Sequence, residues 1–131
     1  MNFFSKIFKG SDFLPPEKID KLLKQRFHEV MNIEWSVNGD NYEAIFYKNS
    51  FEYIALYNKT AQLLEYKVSL AEQYLPQIIM NHLINKGEVM NVVLINKGNS
   101  IAYEIIYRNS ELIRYMIVFD ELGTVVAERL L

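Results

Sequence analysis

The 131-residue chain contains no cysteine, which removes disulfides, thiolate nucleophiles and sulfur-ligated metal from consideration together. Its two histidines, His28 and His82, have no second histidine or carboxylate spaced to complete a metal or acid–base cluster. An excess of charge is missing too. The 14 Lys plus Arg stand against 16 Asp plus Glu, so no field is large enough to recruit nucleic acid or an anionic membrane. No apolar run has the length that spans a bilayer, so no stable membrane insertion is expected. The start, MNFFSKIFKGSDFL, lacks an unbroken apolar stretch and a small-residue cleavage site. The expectation is a cytoplasmic protein as written, and a periplasmic or extracellular one if a leader was removed. No GxSxG, Walker, GxGxxG or HExxH pattern occurs, so nothing supports a nucleophile elbow, a phosphate cradle or a zinc-protease site. The reading is of a non-enzyme with no catalytic residue, metal or cofactor.

What is present is a core. Half the residues are hydrophobic and 14% are aromatic, enough at this length for one domain to fold without staples. The three prolines punctuate it. Pro15 and Pro16 in FLPPEKIDKLL and Pro76 in YLPQIIMNHL suit first helical turns, where a missing N–H costs nothing. Ile19, Leu22, Leu23, Phe27 and Val30 then recur at helical spacing, with Glu17–Lys21 and Asp20–Lys24 as i,i+4 pairs, which predicts a helix over about 16–29. After Pro76, Ile79, Met80, Leu83 and Ile84 predict a second helix, with Gly87 as its C-terminal cap.

The remaining sequence is strand-like and cut by turn chemistry. Asn38-Gly39 is a two-residue hairpin signal, and KNS (48–50), NKT (58–60), KGNS (97–100), RNS (108–110) and DELG (120–123) mark further turns. Strands are expected near 32–37, 41–47, 51–57, 62–68, 90–96, 101–107, 112–119 and 124–130. The order helix, four strands, helix, four strands suggests a duplication. Leu14-Pro15 and Leu75-Pro76, and Tyr42-Glu43 and Tyr103-Glu104, recur sixty-one residues apart, and YKNS (47–50) recurs as YRNS (107–110) at sixty.

These residues resemble the PepSY-like, β-lactamase-inhibitor-like proteins. The likeness runs from about residue 13 to the end. It rests on Leu-Pro before each helix, Trp35 before the hairpin, Tyr42-Glu43-Ala44 with Phe46, Tyr57-Asn58, Tyr103-Glu104, and Phe119-Asp120 with Gly123. The resemblance implies a bacterial tandem repeat with helices packed on one face of an antiparallel sheet, and protein inhibition through the opposite face. It offers no catalytic residue. Two departures stand out: family members commonly carry an export or lipoprotein leader, and Ala61 replaces the Gly of the second repeat's turn, which predicts a differently shaped hairpin.

Alternation then divides each strand. Tyr42, Ala44 and Phe46, then Phe51, Tyr53, Ala55 and Tyr57, and in the second half Ile113, Tyr115, Ile117 and Phe119, form the face expected to meet the helices. Trp35 reads as core. The opposite face carries Glu43, Ile45, Tyr47, Glu52, Ile54, Leu56, Glu104, Ile106, Arg108, Arg114, Met116 and Val118, more apolar than a bare antiparallel face should be. Glu43 and Glu104, equivalent in the repeat, read as residues that keep the sheet wet rather than as a catalytic dyad.

The expected architecture is therefore α+β, a tandem repeat of two α-β-β-β-β units with helices on one face of an antiparallel sheet. Residues 1–12 form an N-terminal amphipathic segment bearing Phe3, Phe4, Ile7 and Phe8, and 13–131 a single domain with repeats at about 13–70 and 71–131. The expected function is protein binding, inhibitor-like, or self-association as a dimer. Tyr47, Ile54, Leu56, Ile106 and Met116 would supply apolar contact, and Glu43, Glu104, Arg108 and Arg114 the charged rim. The rival is a small apolar ligand held between helices and sheet. The partner is a protein or a second copy, not nucleic acid.

Overall fold

The computed structural model describes residues 13–131; the segment expected over 1–12 lies outside the described residues. Among the described residues the chain is α+β, with two α-helices and eight strands paired antiparallel. It divides into two compact units between Lys67 and Val68. The first holds α1 (Glu17–Arg26), β1 (Met31–Asn38), β2 (Asn41–Lys48), β3 (Phe51–Tyr57) and the start of β4 (Leu63–Leu70). The second holds a 3-10 turn (Glu72–Tyr74), α2 (Gln77–Leu83), β5 (Glu88–Asn96), β6 (Ile101–Arg108), β7 (Arg114–Asp120) and β8 (Val125–Leu130).

In the first unit, α1 starts after Pro16, which sits at the cap in extended geometry rather than inside the first turn as expected. Glu17 and Asp20 lie at its positive end and Lys24 and Arg26 at its negative end, matching the helix dipole. Both expected ion pairs form, Lys21 to Glu17 at 3.4 Å and Lys24 to Asp20 at 2.8 Å. The helix stops at Arg26, three residues short of expectation, because Phe27 turns extended and joins the core beside Phe46 and Tyr66. Ile19 and Leu23 face the sheet and bury against Trp35, Ala44, Phe46, Ala55 and Tyr57. Trp35 is core, as read, and its indole N–H donates to Asp20 at 3.1 Å, tying β1 to α1.

The second unit follows the same plan with aliphatic material. Ile79 and Leu83 of α2 bury against Val92, Ile105, Tyr107, Ile117 and Phe119, with Leu75 closing one end. Gly87 does not cap α2. A β-carbon there would sit 2.2 Å from the Arg108 carbonyl oxygen, so glycine is required because two backbones nearly touch where β5 begins. The 3-10 turn before α2 was not foreseen.

The strands match the expected spans within two residues, but three turns differ from expectation. The first hairpin encloses Gly39 and Asp40 between paired Asn38 and Asn41, and only Gly39 takes positive φ. The KNS turn encloses Asn49 and Ser50 between paired Lys48 and Phe51, both with positive φ, as a type I′ turn requires. The similar RNS turn is another structure. Asn109 accepts hydrogen bonds on its side-chain oxygen from the N–H groups of Glu111 and Ile113, and Leu112 takes positive φ. That is the bonding of the Asn58 turn, where Thr60 and Gln62 donate and Ala61 has positive φ, and of the Asp120 turn, where Leu122 and Thr124 donate and Gly123 has positive φ. Ala61 therefore does not reshape its hairpin; it adopts the glycine-like conformation without being glycine.

The second RNS turn is one residue longer than its counterpart. Register pairs Tyr47 with Glu52 in the first unit but Arg108 with Arg114 in the second. Tyr47, half-buried, stands on the helix-free face of its unit in the place Arg108 holds in the other, whereas Tyr107 is buried on the helix side of its own. The YKNS and YRNS likeness joins residues that point oppositely.

Candidate functional site

On the helix-free face of the first unit, register sets Glu34, Ile45 and Ile54 in one row, Ser36, Glu43 and Leu56 in the next, and Tyr47 opposite Glu52. Glu43 accepts from the Asn38 side-chain amide at 2.9 Å, and the Tyr47 hydroxyl donates to Glu52 at 3.0 Å. The face is less open than the sequence implied. Ile45 and Glu52 are only 2% and 4% exposed, and Tyr47, Ile54, Leu56 and Glu43 are half-buried.

In the second unit the corresponding rows are Asn91, Ile106, Met116 and Arg129, then Val93, Glu104, Val118 and Ala127. Arg108 lies between Glu88 and Arg114 and bonds Glu88 at 2.7 Å. Ile106, Met116, Val118 and Glu104 are half-buried, while Arg114 and Arg129 are exposed. At matching places in the pairing, Ile45 is sealed but Ile106 is not, and the position that buried Glu52 holds in the first unit is held by exposed Arg114 in the second. The structure gathers Glu104, Ile106, Arg108, Arg114 and Met116 on one face, and Glu43, Tyr47, Ile54 and Leu56 on the corresponding face of the first unit. It adds Arg129, which pairs with Met116 beyond an irregularity in β8 that simple alternation from Val125 would not have followed.

A second polar cluster lies on the helix side of the second unit. Tyr107 donates its hydroxyl to Glu128, and Lys86 from the end of α2 reaches the same carboxylate at 3.1 Å with its ammonium over the Tyr107 ring. The Tyr107 hydrogen bond holds Glu128 below the usual carboxylate range, burial opposes this, and Lys86 assists. Burial first, and then the Glu128 carboxylate, push the Tyr107 phenol well above its ordinary value. Every member has its partner inside the cluster, which fits a clamp between helix and strand rather than an acid–base site.

Other chemistry finds no support. His28 is exposed, and the His82 ring rests on Phe119 with centroids 5.4 Å apart. Among the described residues no three His, Asp or Glu side chains are grouped to hold a metal ion, and no helix is long and apolar enough to cross a membrane. A hollow of about 410 Å³ lies against the outward residues of α1, and one of about 250 Å³ lies between α2 and Val89.

No protein family model and no curated protein matches the sequence. Solved structures do. A BLIP-like protein from Bacteroides fragilis NCTC 9343 is 20% identical with a TM-score of 0.79, over 91% of this chain and 88% of that one. A DUF2874 family protein from Bacteroides uniformis ATCC 8492 is 19% identical with a TM-score of 0.79, over 89% and 90%. A proposed periplasmic protein from Bacteroides eggerthii DSM 20697 is also 19% identical with a TM-score of 0.79, over 90% of each chain. The chain has a BLIP-like fold, and at these identities the likeness is one of fold.

Proposed function

We propose that the protein is a non-catalytic binding module, inhibitor-like in its mode, that recognises another protein through the helix-free face of its strands. The carrying observation is the row of Ile106 and Met116, half-buried and bordered by Glu104, Arg108 and exposed Arg114. An apolar strip with a charged rim is the composition of a recognition surface, the strip supplying contact and the rim selecting the partner. The BLIP-like fold of the Bacteroides fragilis neighbour supports this reading.

The two halves are read as copies of one α-β-β-β-β unit, the arrangement implied by the PepSY-like resemblance. In support, core positions correspond in order: Ile19 with Ile79, Leu23 with Leu83, Phe46 with Tyr107 and Tyr57 with Phe119. A periplasmic location is the compartment this proposal adopts, by likeness to the Bacteroides eggerthii protein. The rival, an apolar ligand between helix and sheet, is disfavoured because rings occupy that space in the first unit, with Phe27 5.1 Å from Phe46 and 5.2 Å from Tyr66.

The test is affinity capture from the native host with wild-type protein and with Ile54→Asp and Met116→Asp variants, alongside light scattering on the eluted protein. A partner, or a dimer, that is held by wild type and released by Met116→Asp supports the face. Retention by both variants would remove it.

A further inference from the structure

We infer that the partner of this face is an acidic protein segment, and that it docks on the second unit through Arg108, Arg114 and Arg129. The inference rests on the binding-module reading above and names the chemistry of its partner.

Arg108 and Arg114 are directly opposite each other on β6 and β7, where like charges repel and ordinarily destabilise a sheet. Only one of them is neutralised nearby: Glu88 takes Arg108 at 2.7 Å. Arg129 shares the face, since it pairs with Met116, and the Leu131 amide on the Arg114 carbonyl places Arg114 one diagonal away. Among the described residues neither Arg114 nor Arg129 has a carboxylate within ion-pair distance, and both are exposed. Three guanidinium groups thus crowd one end of an apolar strip with a single acid among them. Carboxylates from outside would relieve that repulsion, and guanidinium forks bind them in a fixed bidentate geometry. The strip made by Ile106 and Met116 runs beside the arginines, so the segment that fits alternates acidic with apolar side chains. The first unit does not offer the same site. Glu52 stands where Arg114 does, and it is buried.

The experiment titrates the full chain with two amidated probes, (Glu-Leu)4 and (Lys-Leu)4, following the methyl resonances of Ile106 and Met116 at low and at physiological salt. The acidic probe is expected to bind and shift those methyls, to weaken as salt rises, and to bind at least tenfold more weakly to the Arg114→Glu/Arg129→Glu protein. That variant is expected to bind the lysine probe instead. Both side chains are exposed and the exchange removes the Arg108–Arg114 repulsion, so the thermal midpoint should not fall below that of wild type.

Equal binding of the two probes by wild type would overturn the proposal. So would acidic-probe binding indifferent to the arginine exchange, as expected if the peptide merely adds to the β8 edge. If wild type binds phosphatidylglycerol vesicles but not the acidic probe, the arginines serve a lipid surface and the proposal fails. A partner captured from the host that survives the exchange yet is lost with Met116→Asp rejects the acidic segment and keeps the binding face. A partner indifferent to both changes rejects the face as well.

Discussion

The two units solve one packing problem with different side chains. Across the middle of each sheet runs a buried row: Trp35, Ala44 and Ala55 in the first unit, Val92, Ile105 and Ile117 in the second. One very large residue with two very small ones fills about the space of three medium aliphatics, which is how cores keep volume while changing composition. Beside that row each unit stacks an aromatic pair across two strands, Phe46 on Tyr53 and Tyr107 on Tyr115, both with centroids 5.3 Å apart. A further contrast lies at the helix end. The Arg26 guanidinium sits over the Phe27 and Tyr66 rings, whereas Lys86 pairs with Glu128, which also accepts the Tyr107 hydroxyl. A cation over rings and a cation on a carboxylate do the same work of tying helix to strand. The lesson is that position in the pairing is shared where residue type is not.

Three tests sharpen that comparison, beginning with the most damaging. Gly87→Ala strikes only the second unit, where the added carbon would collide with the Arg108 backbone. It is expected to cost about 3 kcal/mol or more, seen as a lowered denaturation midpoint, because neither backbone can yield without breaking β5–β6 pairing.

The paired exchange Ala61→Gly and Gly123→Ala should act with opposite signs. Ala61 holds φ of 65°, so glycine there is expected to stabilise by up to about 1 kcal/mol. Alanine at Gly123 keeps a positive φ and places its β-carbon 2.8 Å from the Ile78 side chain, so it is expected to destabilise by about 1–2 kcal/mol. Urea titration of each variant checks both, and two effects of one sign would contradict the equivalence of these turns.

The smallest effect is a pH dependence. Glu128 is held below the ordinary carboxylate range, chiefly by the Tyr107 hydrogen bond. Its stabilising contribution is therefore present above the ordinary carboxylate pKa and is lost as pH falls through the depressed folded value. Glu128→Gln should be less stable than wild type at neutral pH, and the gap should close in acid. The equivalent Tyr66→Phe change in the first unit should show no such closure, and thermal melts at a series of pH values compare the two.

Much of this architecture was legible in the chain. Proline and apolar spacing located both helices, and Gly, Asn and Asp breaks located the strands. Pleat parity placed Ala44, Phe46, Ala55 and Tyr57 correctly, and the position before the hairpin placed Trp35, whereas Ile113, expected on the same side, is exposed in the turn before β7. The short motif misled where parity did not. The shared Tyr and Asn-Ser of 47–50 and 107–110 looked equivalent at sixty residues, yet β2 and β6 correspond at sixty-one, so Tyr107 takes the place of Phe46 and Arg108, as alternation placed it, that of Tyr47. The candidate face was legible as a list of alternating residues, but not the sealing of Ile45 and Glu52 or the crowding of Arg108, Arg114 and Arg129.

Local chemistry was enough for the sequence by itself to determine where the chain turns, which stretches are helix or strand, and which side of each strand is oily, because each depends on residues a few positions apart. Tertiary structure alone decided which arginines stand opposite each other and why residue 87 must be glycine. It also decided which oily side chains remain within reach of a partner. Those depend on register between strands, and a single added residue in a turn reverses it.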